Sequence, residues 1–107
     1  KAVKGFVAAT ARGWKDAIAN PAAAIAALKK VAPLADEKLE TEKLQWLIKN
    51  QIVTAESKAD GLGGVRGPRM EKAIDTLSKA FQLPGKVTQA DVITVEYLPA
   101  ADVRKLP

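Results

Sequence analysis

The chain has 107 residues, 48% of them apolar and 27% charged, with a formal net charge of +5. It contains neither cysteine nor histidine, which excludes disulfides, thiolate metal sites and any nucleophile or zinc site that relies on imidazole within these residues. No apolar stretch approaches the roughly 20 residues of a membrane span, and the basic residues alternate with acidic ones, as on a mixed solvated surface.

The aromatic residues are few: Phe6, Trp14, Trp46, Phe81 and Tyr97. Packing must therefore rest on Ala, Leu, Ile and Val, which favours close helix–helix contacts and an all-α fold, with material for a single helical domain over residues 1–107. From Val3 the apolar positions run Phe6, Val7, Thr10, Trp14, Ala17 and Ile18, the spacing of one helix face. Trp14 on that stripe is expected in the core, and Gly13 at a tight helix crossing.

Asn20-Pro21 reads as a stop followed at once by a start, because Asn suits the N-cap and Pro the first helical position. A second helix is expected over Pro21–Val31 with Ile25, Leu28 and Val31 as its stripe, forming a hairpin with the first and stopping before Pro33. Asp36 caps a third helix that turns Leu39, Leu44, Leu47, Ile48 and Ile52 toward a core. Trp46 lies off the centre of that stripe, a position for core, interface or ligand stacking. Residues 54–68 lose periodicity and collect Gly61, Gly63, Gly64 and Gly67, which predicts a long loop.

Pro68 opens a fourth helix with Met70, Ala73, Ile74, Leu77 and Phe81 inward, ending before Leu83-Pro84-Gly85. Thr88 and Asp91 have the spacing of a capping box around one short helical turn. Alternation of Ile93, Val95 and Tyr97 predicts a strand or an extended C-terminal tail over the helices, ended by Pro99. The expected fold is thus about four helices plus a short extended tail.

The order of these signals resembles the C-terminal region of the NMT1/THI5-like family of periplasmic substrate-binding proteins, which serve ABC importers of sulfonates, taurine, nitrate and thiamine-precursor pyrimidines. The resemblance rests on residues 6–17 (FVAATARGWKDA), Asn20-Pro21-Ala22-Ala23-Ala24, Gly61-Leu62-Gly63, residues 70–77, and Val92-Ile93-Thr94 with Tyr97-Leu98-Pro99. It implies two α/β lobes around a ligand cleft, mostly upstream of Lys1, with this region bracing the first lobe as a C-terminal fragment. It implies a small anionic or heterocyclic solute and a membrane permease as partners, an extracytoplasmic location, and apolar faces through which isolated fragments would dimerise. The sequence departs from the family at Met70, where an aromatic residue is common, and at Val65-Arg66-Gly67, where an acidic residue is common, so the solute class stays open.

The glycine-rich run from Gly61 to Gly67 lacks the Gly-Lys-Ser/Thr ending of a nucleotide loop. Two readings remain: a connection with helix-capping glycines, or a cleft-edge loop in which Gly63, Gly64 and the Arg66 guanidinium meet an anionic solute. Asp36, Glu37, Glu40 and Glu42 cluster at a helix start, where they complement its dipole without chemistry. No carboxylate pair sits among apolar residues, so no catalytic residue, cofactor or metal is assigned and a non-enzymatic binding role is expected. Lys1, Lys4, Arg12, Lys15, Lys29 and Lys30 lack a recognition helix or stacking aromatics, which speaks against nucleic acid. The alternative to a solute-binding component is a free-standing helical-hairpin interaction module.

Overall fold

A computed structural model describes all residues 1–107, and it is all-helical. In chain order come α1 (Ala2–Ala19), α2 (Pro21–Val31), α3 (Glu37–Leu47) with a π-helical continuation (Ile48–Ile52), α4 (Ala55–Asp60), α5 (Gly67–Ala80), α6 (Gln89–Val92) and α7 (Ala101–Arg104). The four long helices, α1, α2, α3 and α5, are those the periodicity predicts.

Their ends follow from side-chain chemistry. The Asn20 carboxamide oxygen accepts from the Ala23 amide at 3.1 Å, with Pro21 behind it in the first turn, so the chain leaves α1 and enters α2 through one residue. Asp36 accepts from the Leu39 amide at 2.8 Å, and its charge faces the positive end of α3. The Asp91 carboxylate accepts from the Thr88 amide at 2.8 Å and hydroxyl at 2.6 Å. Thr10, the polar member of the α1 stripe, returns its hydroxyl to the Phe6 carbonyl at 2.9 Å, so its place there leaves no donor unpaired. At the end of α5, Gln82 adopts φ 49°, and the Leu83 amide donates to the Ser78 carbonyl at 3.0 Å. This is a Schellman ending with glutamine where glycine is the usual residue.

Residues 54–68 are not one loop. Thr54 and Ser57 cap each other, the Thr54 amide donating to Ser57 Oγ at 2.8 Å and the Ser57 amide to Thr54 Oγ1 at 3.1 Å, which starts the six-residue α4. Serine in place of the usual Glu or Gln hides this box from a sequence pattern. No strand forms over residues 92–98: α6 takes Val92, Ile93 is extended but exposed, and no second segment pairs with it. From residue 93 to 100 the chain runs without helix or strand, and the single-turn α7 follows, three residues before the end of the described chain.

α2 packs between α1 and α3, α5 against α6, and α1 against α7. The buried side chains are Ala11, Ile25 and Leu106. Trp14, expected in the core, is half-buried on a groove. Gly13 is exposed and makes no tight crossing, since a Cβ there would meet nothing within 4 Å. Phe6 (74% exposed), Phe81 (72%), Leu77 (54%) and Leu39 (49%), all predicted to face a core, face solvent. The accessible surface is 8062 Å², against about 5,800 Å² for a compact monomer of this mass. The radius of gyration is 16.7 Å, against about 13 Å. The helices form their apolar stripes, but these residues supply nothing to lay over several of them.

Two glycine exchanges probe these assignments. Gly13→Ala should stabilise α1 by roughly 0.5–1 kcal/mol, because the added methyl has open space and lowers backbone entropy in the unfolded chain. Gln82→Gly should add about 1 kcal/mol by relieving the left-handed backbone. Thermal melts followed at 222 nm report both; a lower midpoint for Gly13→Ala would mean that α1 does cross another helix there.

Candidate functional site

The glycine-rich segment that follows α4 sits where three parts of the chain meet: α4, α1 and the C-terminal residues. Gly61 is buried at φ 79°, and a Cβ on it would lie 3.1 Å from Arg104 Cβ and 3.3 Å from the Arg104 carbonyl. Gly63, at φ 75°, leaves room for Leu98, whose Cδ2 would stand 2.8 Å from an added Cβ. At both positions the left-handed backbone and the close approach of the chain's own atoms require glycine.

Arg104 joins these parts. Its Nε donates to the Pro99 carbonyl at 3.0 Å, its Nη1 to the carbonyls of Asp60 and Leu62 at 3.1 Å each, and its own carbonyl accepts from the Leu62 amide at 2.9 Å. The planar fork of a guanidinium suits several carbonyls arriving from different directions. Nothing in the sequence marks this arginine, because its partners are backbone oxygens that any residue would supply.

The expected binding residues divide between two depressions. Gly63 lines an apolar groove of about 290 Å³ with Phe6, Trp14, Leu62, Leu98 and Arg104. Gly64 and Arg66 lie on a neighbouring depression of about 260 Å³ with Glu56, Val65, Arg69 and Met70. There Arg66 Nε donates to Asp60 Oδ2 at 2.6 Å, and Arg69 pairs with Glu56. The Asp60 interaction uses one edge of Arg66; its Nη1 and Nη2 have no protein partner and remain able to bind a planar or tetrahedral anion. A larger depression of about 470 Å³ between α5 and residues 85–89, lined by Glu71, Ser78, Lys86 and Thr88 among others, contains none of the expected residues. Trp46 is exposed on α3 beside Leu39 and Leu47, away from both the groove and the arginines.

The hydrogen bond from Arg66, reinforced by its charge, holds the Asp60 carboxyl below the usual carboxylate range. The same pairing raises the Arg66 guanidinium. Both side chains are well exposed, so the pair orients Arg66 more than it stabilises the fold. No group of three acidic, His or Cys side chains converges as metal ligands, and no helix is long and apolar enough to cross a membrane. The side chains gathered here are a guanidinium with open outer nitrogens, two carboxylates and, in the neighbouring groove, an apolar wall.

Comparison with protein-family models, with curated proteins and with solved structures finds no match.

Because Asp60 is depressed in the folded chain, its contribution is fully present above the unfolded carboxylate range and is lost as pH falls through the lower folded value. The midpoint difference between the wild type and Asp60→Asn should therefore be present near pH 6 and shrink progressively as pH falls below the ordinary carboxylate range. A difference that persists unchanged in acid would remove the ion pair as its cause.

Proposed function

We propose that this chain is the helical C-terminal part of an extracytoplasmic solute-binding protein, of the sulfonate, nitrate and pyrimidine-precursor kind, that delivers a small solute to an ABC permease. The observation that carries this reading is the surface. Roughly 2,300 Å² more area is open than on a compact chain of this mass, and Phe6, Trp46, Leu77 and Phe81 are all more than half exposed. Large apolar side chains left open on several helices at once are what supports an interaction surface. Two α/β lobes packed on these helices would cover them. A free-standing hairpin module has no such requirement, and isolated fragments would pair through the same faces.

In this reading the mechanism is closure, not bond-making. The solute binds the closed arrangement of the lobes more tightly than the open one and shifts the population toward it. The helices described here brace the first lobe. Arg66, held by Asp60 along one edge only, is the residue of this segment best equipped to meet an anionic solute at the cleft edge.

The polypeptide encoded by the natural gene, titrated calorimetrically with taurine, nitrate and an aminopyrimidine, should bind one of the three saturably. If that solute is an anion, Arg66→Ala should weaken binding by about tenfold or more, as expected for a lost charged hydrogen bond. A natural polypeptide without α/β lobes that melts cooperatively as a monomer, takes up no hydrophobic dye and binds none of the three would end this reading.

A further inference from the structure

We propose that residues 98–106 are a two-sided latch, pinned by Arg104, which clamps the layer α1–α3 to the unit α4–α6 across a hinge at residues 48–54. The bonding pattern of the whole chain leads to this. Among helix pairs in extensive contact, α1 with α7 alone joins elements distant in sequence; the others are neighbours along the chain. Between residues 1–53 and residues 54–97 the hydrogen bonding reduces to one local link, from Ser57 Oγ to the Ile52 carbonyl at 2.6 Å. All four salt bridges fall within one half or the other.

The C-terminal residues bond to both halves. On one side Lys15 of α1 donates its Nζ to the Asp102 carbonyl at 3.3 Å, and α7 packs along α1. On the other side Arg104 donates to the carbonyls of Asp60 and Leu62, while the Leu62 amide returns a bond to its carbonyl. Leu106, one of the few buried side chains, anchors the far end. Gly61 is where the latch seats, since any side chain there would press on Arg104.

The linker has the form of a hinge. α3 ends in a π-helical turn closed by the Val53 amide on the Ile48 carbonyl at 2.9 Å. Val53 then leaves the helix at φ −94°, ψ 78° before Thr54 starts α4. π-Helical turns recur at functional sites, and hinge motion is absorbed at the ends of elements. Leu98, Pro99 and Arg104 form one wall of the apolar groove whose opposite wall is Phe6, Thr10 and Trp14. Release of the latch therefore removes that wall and exposes the α1 stripe, so latch position decides whether the groove exists.

The chain has no native cysteine, so spin labels can be placed only where wanted. Lys30→Cys on α2 and Lys72→Cys on α5, both exposed, allow the distance between the halves to be measured by pulsed electron resonance in the full chain. With Arg104→Gln the distance distribution should broaden at least about twofold, and the Leu62 amide should lose hydrogen-exchange protection, while far-UV circular dichroism is retained. An unchanged distribution with unchanged Leu62 protection overturns the latch. Should Arg104→Gln abolish helicity, Gly61→Ala takes its place as the gentler disturbance of the same seat. Broadening with helices intact then supports the proposal, and collapse of all helices or an unchanged distribution defeats it.

Discussion

Three backbone carbonyls, from Asp60, Leu62 and Pro99, converge on the guanidinium of Arg104. Most of the other tertiary order in this chain is sequential: α2 packs beside α1, α3 beside α2, α6 beside α5. Such a string of neighbours has no closure of its own. The Arg104 junction provides closure, and it does so with directed polar bonds to main-chain atoms where a core would ordinarily do it with apolar bulk. That choice dictates the glycine at 61, because a side chain there would press on Arg104, while Gly63 makes room for Leu98 beside it.

The thin core and the open apolar faces have one physical origin. An amphipathic helix forms its stripe by periodicity, but it gains stability only when something covers the stripe. α2 has cover on two sides and buries Ile25. α1 is covered in part and keeps Trp14 half-buried while Phe6 stands in solvent. α5 has only the single-turn α6 in extensive contact, and Leu77 and Phe81 stay exposed. The progression fits helices that brace a larger body, the role proposed for them. Arg66 fits it as well: it is oriented by Asp60, yet its outer nitrogens remain open.

Much of the secondary structure was legible from local chemistry. Asn20-Pro21, Asp36 and Pro68 each determine a helix start through atoms within a turn of themselves, and each start lies where such residues put it. The failures are equally physical. α4 has no signature in the sequence because its capping partner is Ser57 instead of a carboxylate or carboxamide. The alternation of Ile93, Val95 and Tyr97 allows a strand or an extended tail, and no strand forms because a strand exists only with a partner and the chain places none there. Gly13 suggested a crossing that no second helix makes. Of the candidate site, the glycine loop and Arg66 were visible as unusual residues in a row, whereas Arg104 was not.

What the sequence determined by itself is therefore local: which segments become helices, where they start, which faces are apolar, and that no thiol or imidazole chemistry operates within these residues. These features depend on side chains acting within three or four positions along the chain. Tertiary structure alone decided which stripes are covered, that Gly63 and Gly64 with Arg66 belong to two separate depressions, and that residues far apart in the chain meet at Arg104. Those outcomes depend on backbone carbonyls and on empty space between elements, and neither leaves a mark in the order of amino acids.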